Sequence, residues 1–325
     1  MSQRIQFSRP GGPEVLELVE TTPADPGPGE VRVQNKAIGL NFIDIYVRTG
    51  LYPAPSLPSG LGTEGAGVVD AVGKGVTHLR EGDRVAYAQG PLGAYSDYHT
   101  LPADKVIALP RAVSFETAAA CMLKGLTAQY LLRQTYPLRG GETVLWHAAA
   151  GGVGSIACQW AQALGVRLIG TVSSAEKAEL ARRNGAQEVI DYRSENVVER
   201  VREITDGAMC DVVYDSVGKD TWETSLDCLK PRGLMVSFGN ASGPVEGVNL
   251  GILNQKGSLF VTRPSLNGYA TTRERLETMA GELFAMLESG RVSIDIAQRY
   301  PLSQAGDAQR ALAERRTTGS TLLLL

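Results

Sequence analysis

The sequence predicts an α/β protein in two parts, a β-rich first third followed by a doubly wound parallel sheet. Three observations predict it. At 325 residues the chain exceeds the common size of one domain. Before about residue 110, apolar residues recur at period two between Gly and Pro punctuation. After residue 142, short apolar runs alternate with stretches at helical spacing, the pattern of parallel strands joined by helices.

The elements follow in order. Glu30-Val31-Arg32-Val33-Gln34-Asn35 alternates its side chains as a half-buried strand does. Gly65 to Val72 and Asp83 to Tyr87 continue the theme, with Gly73-Lys74-Gly75 and Glu81-Gly82-Asp83 as turns. Ser114 precedes an Ala-rich helical stretch that begins at Phe115 and continues to Arg133. Thr143 to Ala148 is then a short apolar run. Val153, Ile156, Ala157, Trp160, Ala161 and Leu164 recur at helical spacing, with Gly165 expected to close that helix. Strands are expected at Val166–Val172, Glu188–Tyr192, Asp211–Asp215, Leu234–Phe238 and Ser258–Thr262. Helices are expected near 175–184, 195–205 and 219–229. Past Pro264 the alternation stops, leaving helices near 272–288 and 304–314 and a last strand at the C-terminus.

Composition excludes several function classes. A net charge of −3 leaves no basic footprint for nucleic acid. Cys121, Cys158, Cys210 and Cys228 are widely spread, without the close Cys/His pairs of structural zinc, and read as buried thiols. Met1-Ser2-Gln3-Arg4-Ile5 lacks the apolar core of a signal peptide, and no run approaches the ~20 apolar residues of a spanning helix. The expected location is the cytoplasm.

A glycine-rich string gains meaning from its context. Ala148-x-x-Gly151-x-x-Gly154 directly follows an apolar strand and opens an amphipathic helix, the setting of a Rossmann dinucleotide fingerprint. Small residues at Ala150, Gly151, Gly152 and Val153 let the backbone approach a pyrophosphate, and the helix start supplies free N–H groups. Gly154 lets helix and strand pack closely. An NAD site puts Asp or Glu at the end of the second strand, about 20 residues on, for the ribose 2′-hydroxyl. This chain has Thr171-Val172-Ser173-Ser174 there, with Lys177 one turn later. Hydroxyls and an ammonium suit a 2′-phosphate that a carboxylate would repel, so NADPH is the expected cofactor. Ser173-x-x-Glu176 also reads as a capping box.

With these residues assembled, the chain resembles the zinc-independent quinone oxidoreductases of the medium-chain dehydrogenase/reductase superfamily, the zeta-crystallin-like group. The resemblance rests on Gly11-Gly12-Pro13-Glu14-Val15-Leu16, Gly39-Leu40-Asn41-Phe42-Ile43-Asp44, Pro58-Ser59-Gly60-Leu61-Gly62-Thr63-Glu64 and the turn from His147 to Gly154. Tyr214-Asp215-Ser216-Val217-Gly218 and Val261-Thr262-Arg263-Pro264 extend it, so it covers essentially the whole chain. It implies a GroES-like β-domain at 1–123, a Rossmann domain inserted at 124–264, and a segment at 265–325 that returns to the first. It also implies that Asn41 lies beside the nicotinamide ribose, and that Lys177 and Tyr192 contact the adenosine phosphate with Ser173 nearby. Phe238, Gly239, Thr262 and Arg263 would border the nicotinamide, Arg315 the phosphates, with Ser216 and Thr127 as further candidates.

The zinc-dependent relatives carry a catalytic Cys before the Asp of the Asn41–Asp44 region, and Gly-His-Glu where this chain has Gly62-Thr63-Glu64. Threonine is a poor zinc ligand, so no metal is expected. His78, His99 and His147 lie outside that constellation and are expected at the surface or in packing. The expected chemistry is transfer of reducing equivalents from NADPH to a quinone, in a pocket where the domains meet. Asn41, Asp44, Tyr46, Tyr52 and Tyr130 are the candidates to line it. Two other readings stay open: reduction of an enone or alkenal double bond, and a non-catalytic NADPH-binding, crystallin-like or RNA-associated role. A homodimer is expected by resemblance, with Ser258–Thr262 as an edge strand.

Overall fold

The computed structural model describes residues 2–325. The chain divides into two compact units, one formed by 2–126, 270–288 and 294–325, the other by 127–269 and 289–293.

Unit 1 is built on the strand Glu30–Leu40. It pairs antiparallel with Gly65–Val72 and with Tyr98–Pro102, and its C-terminal half pairs with the last strand, Ser320–Leu324. Ile296–Pro301 lies parallel to that last strand at the sheet edge. Leu322 and Leu323 are fully buried. The alternation from Glu30 drives the pairing: Val31 and Val33 are fully buried on one face, while Arg32 reaches Asp70 at 2.6 Å on the other. The expected strand at 30–35 is the first half of a longer one, because Ala37, Ile38 and Leu40 continue it into the core. The helix Phe42–Thr49, within a stretch read only as β-rich, was not expected; Gly50 ends it at φ 81°.

Unit 2 holds a six-stranded parallel sheet. Its strands are β1 (Thr143–Trp146), β2 (Arg167–Val172), β3 (Glu188–Asp191), β4 (Cys210–Asp215), β5 (Leu229–Ser237) and β6 (Phe260–Thr262). Helices α1 (Gly152–Ala163), α2 (Ala175–Arg183), α3 (Val197–Ile204) and α4 (Trp222–Asp227) fall between the first five. The spatial order is β3-β2-β1-β4-β5-β6, a doubly wound Rossmann sheet whose order reverses between β1 and β4. Strands covered on both faces read as apolar runs, and Val144, Leu145, Leu168, Ile169, Val212 and Val213 are all fully buried. Gly165 stands one residue past the α1 cap at φ 72°, as a C-terminal glycine should.

Three expectations need correction. β1 stops at Trp146, because Ala148 turns left-handed at φ 56°. β6 begins at Phe260, since Ser258 is itself left-handed at φ 56°. The α2 cap is Ser174, whose Oγ accepts from Lys177 N at 3.3 Å; Ser173 leads into it and forms no capping box.

Candidate functional site

The glycine turn shows why its small residues are needed. Gly151 is the extended N-cap of α1, and its N–H closes the turn onto Ala148 O at 2.9 Å. A Cβ on Gly154 would lie 2.5 Å from Ala148 O and 2.7 Å from Ala149 O, so only glycine lets α1 sit this close to the strand end. Ala150 is buried, while Gly151, Gly152 and Val153 remain partly exposed at the start of a helix of 12 residues. Such a start leaves N–H groups without intrahelical partners and a partial positive charge, which suits a pyrophosphate.

At the end of β2 the partly exposed Ser173, Ser174 and Lys177 stand together at the start of α2. Tyr192 comes beside them because its N–H bonds Val172 O at 3.1 Å, and its side chain is 41% exposed. An anion bearing at this point would meet hydroxyls and an ammonium from β2 and α2. The donor chemistry fits a phosphorylated adenosine ribose.

Around the ends of β4 and β5 the chain is tightly drawn in. Phe238 N–H donates to Asp215 O at 2.7 Å, and the Phe238 ring tilts against Trp146 at 5.5 Å. A Cβ on Gly239 would strike Ser216 O at 2.3 Å. Arg263, just past Thr262 in β6, donates through Nη1 to Ser237 Oγ at 2.9 Å and to Gly239 O at 2.8 Å. Ser216, Phe238, Gly239, Thr262 and Arg263 therefore cluster at one end of the sheet. Tyr130, in the same unit, stacks on Tyr269 with ring centres 4.7 Å apart, and Thr127 bonds its hydroxyl. Burial raises the Tyr130 hydroxyl well above the ordinary tyrosine range.

Unit 1 gathers a second polar cluster. Glu64 is fully buried and takes three donors: Asn41 Nδ2 at 2.7 Å, Leu123 N at 2.6 Å and Lys124 Nζ at 3.3 Å. Gly39 makes room for it, since a Cβ there would lie 2.1 Å from Glu64 Oε2. Asp44 Oδ2 accepts from Asn41 N and from Tyr95 Oη, both at 2.8 Å. Burial pushes the Asp44 carboxyl up to about 7, partly offset by the bonds from Asn41 and Tyr95. Tyr46 meets Tyr52 edge to face at 5.3 Å. Arg315, left-handed at φ 59°, follows the helix Ala305–Ala313 in the same unit. Asn41, Asp44, Tyr46 and Tyr52 thus belong to unit 1, and Tyr130 to unit 2. Glu64, Lys124 and Tyr95 had no expected role. Only Glu64 carried a signal, as the acid of Gly62-Thr63-Glu64.

The donor set beside Asn41 and Asp44 does not fit zinc. Among the described residues no group of three or more His, Cys, Asp and Glu side chains converges. Thr63 offers a weak oxygen, and the Lys124 ammonium already stands at Glu64 where a divalent cation would be repelled. The remaining histidines are structural in placement. His99 is buried against Tyr87, with desolvation pulling it down to about 4, and His78 Nε2 meets Ala103 O at 3.1 Å. His147 is buried between Thr171 and Ser225.

Comparison with known proteins identifies two family regions. Residues 27–111 match the alcohol dehydrogenase GroES-like domain, and residues 152–285 match the zinc-binding dehydrogenase model. A quinone oxidoreductase of Pseudomonas aeruginosa is 69% identical over 100% of both chains. The crystal structure of Escherichia coli quinone oxidoreductase complexed with NADPH superposes with a TM-score of 0.98 at 62% identity, over 99% of this chain and 100% of that one. A 2-haloacrylate reductase of a Burkholderia species is 44% identical, over 97% of this chain and 96% of its own. With the GroES-like unit, the Rossmann sheet and an acid–lysine pair where a metal would need soft ligands, the chain belongs to the zinc-independent quinone oxidoreductases of the medium-chain dehydrogenase/reductase superfamily.

Proposed function

We propose that the chain is an NADPH-dependent quinone oxidoreductase that needs no metal. The observation that carries this reading is the end of β2, where Ser173, Ser174 and Lys177 take the place of the acid that would hold an unphosphorylated ribose. Relatives similar over the whole chain are quinone oxidoreductases, one of them seen with NADPH. The nicotinamide, when bound, supplies the hydride. The protein's part is to hold it. Ala150 to Val153 take the pyrophosphate at the α1 start, and Ser173, Lys177 and Tyr192 take the 2′-phosphate. Thr127, Ser216, Phe238, Gly239, Thr262 and Arg263 are the proposed nicotinamide contacts, and Asn41 and Arg315 are proposed as further cofactor contacts. Asp44, Tyr46, Tyr52 and Tyr130 serve the acceptor. A quinone is already electron-poor, so its reduction does not call for a Lewis acid.

Steady-state oxidation of NADPH by 1,4-benzoquinone tests the assignment against 2-chloroacrylate and simple enones. Turnover confined to the alkenes would replace it with double-bond reduction, the reading favoured by the 2-haloacrylate reductase at 44% identity.

The assembly we propose is a homodimer across β6. That strand is the open edge of its sheet, and Phe260 and Val261 are 60% and 37% exposed there, with Leu250 nearby in sequence at 75%. An uncovered apolar edge invites pairing, and a second copy presents the same edge. All four cysteines are buried and free, which fits the cytoplasm as the site of action. No helix among the described residues is long and apolar enough to cross a membrane.

A further inference from the structure

Beneath the glycine turn, four side chains with no assigned contact to cofactor or acceptor form one hydrogen-bonded line inside unit 2. Thr171 on β2, His147 just past β1, Ser225 on α4 and Asp215 at the end of β4 are each 0–2% exposed. The hydrogens can be placed by elimination. Val217 N and Gly218 N donate to Asp215 Oδ1 at 2.7 and 3.0 Å, and the hydroxyls of Thr221 and Ser225 reach Oδ2 at 2.7 Å each. Ser225 spends its hydrogen on Asp215, so its oxygen accepts from His147 Nε2 at 3.0 Å. Burial lowers the proton affinity of the imidazole below the ordinary histidine value, Asp215 opposing in part. A neutral ring protonated at Nε2 must accept at Nδ1, and Thr171 Oγ1 is the donor, 3.0 Å away.

The line runs one way, from Thr171 through His147 and Ser225 to Asp215, and its ends sit under the two halves of the dinucleotide cradle. Thr171 lies on β2, two residues before Ser173, which follows the end of the strand. Asp215 fixes the 217–218 backbone directly, and its own carbonyl takes Phe238 N–H at 2.7 Å. Both links to His147 are side-chain bonds that an apolar residue of similar size would remove without a void. Fully satisfied buried networks of this kind specify one arrangement where greasy packing would tolerate several.

We infer that His147 is a positioning residue of the cofactor cradle, its Nε2–H tautomer tying the turn at 216–218 to the end of β2 so that the nicotinamide and 2′-phosphate sites keep one spacing. The inference rests on the dinucleotide reading of this unit. Two substitutions cut the line on opposite sides. In His147→Gln the amide reaches Ser225 and gives up Thr171; in His147→Asn the shorter amide reaches Thr171 and gives up Ser225. Binding of adenosine 2′,5′-bisphosphate, reduced nicotinamide mononucleotide and NADPH is measured by NMR titration and calorimetry. His147→Gln is expected to weaken the adenosine fragment about tenfold and to spare the mononucleotide, His147→Asn to do the reverse, and both to weaken NADPH about tenfold, a factor matching the loss of one buried hydrogen bond. Equal loss of both fragments in both variants, or unchanged affinities throughout, would overturn the positioning role while leaving the wild-type NADPH isotherm intact. A wild-type protein that does not bind NADPH would instead remove the dinucleotide reading itself. Should the His147 variants fail to fold, Thr171→Val and Ser225→Ala cut the same two bonds with smaller changes, and the same crossed pattern of fragment affinities decides.

Discussion

Lys177 and Lys124 are both lysines at polar clusters, yet burial gives them different consequences. Lys177 is partly exposed at the α2 start, where its ammonium can turn toward an incoming phosphate. Lys177→Ala should weaken NADPH roughly tenfold or more, as loss of a charge-assisted bond does, and leave NADH within about twofold. Calorimetry with both nucleotides checks this, and equal losses would remove Lys177 from the phosphate site. Lys124 is 6% exposed and stands on a fully buried Glu64. Lys124→Met strands that carboxylate and should cost about 3 kcal/mol or more in chemical denaturation, far above a surface ion pair. The placement of Lys177 beside the end of β2 was legible in the sequence because strand end and helix start are adjacent along the chain. The placement of Lys124 on Glu64 was not, since the two are distant in sequence and nothing in either neighbourhood names the other. Ser173 and Ser174 mark the finer limit. Either can cap α2 by residue type, and only the backbone turn decides for Ser174.

At the level of elements, the alternation of buried strand and amphipathic helix made β1 to β4 legible, because each is a short apolar run bounded by turn residues. Tyr98–Pro102 and Ile296–Pro301 escaped, since each mixes charged or polar residues with a proline and owes its strand conformation to a neighbour. β6 is the informative intermediate case. Its three residues, Phe260, Val261 and Thr262, are strand formers but too few to hold a strand alone, and it pairs with Leu234 to Val236 of β5. Its outer edge is open, which makes it the element on which the proposed dimer rests. Phe260→Lys places a charge on an exposed apolar edge and is expected to shift a dimer to a monomer in light scattering, with the far-ultraviolet spectrum unchanged. A monomeric wild type would refute the interface from the start.

For the whole molecule, the break from a β-rich to an alternating pattern gave the α/β class with its doubly wound sheet. The antiparallel pairing of Ser320–Leu324 with Glu30–Leu40 joins segments far apart in the chain that no local pattern relates; only the return of the C-terminal segment to the first domain was expected, from family resemblance. The two units also differ in how protons act on them. In unit 2, His147 has a lowered proton affinity, so below its ordinary value of 6.5 the unfolded chain binds a proton that the folded unit refuses. Stability there must fall as pH drops beneath 6.5, with a limiting slope near 1.4 kcal/mol per pH unit. Unit 1 carries opposing groups. His99, lowered to about 4, likewise favours the unfolded chain between about 4 and 6.5. Asp44, raised from 3.8 to about 7, holds a proton in the fold that the unfolded chain releases, so it stabilises unit 1 as pH falls through 7. Across about 4 to 6.5 these two contributions have opposite signs and nearly cancel. Hydrogen exchange, corrected for its intrinsic pH dependence, should therefore show β1, β2 and β4 losing protection between pH 7 and 5 while Glu30–Leu40 keeps its own. His147→Gln should flatten the change in unit 2, and Asp44→Asn should expose the His99 slope in unit 1. Parallel loss in both units of the wild type would mean that other groups dominate its acid response.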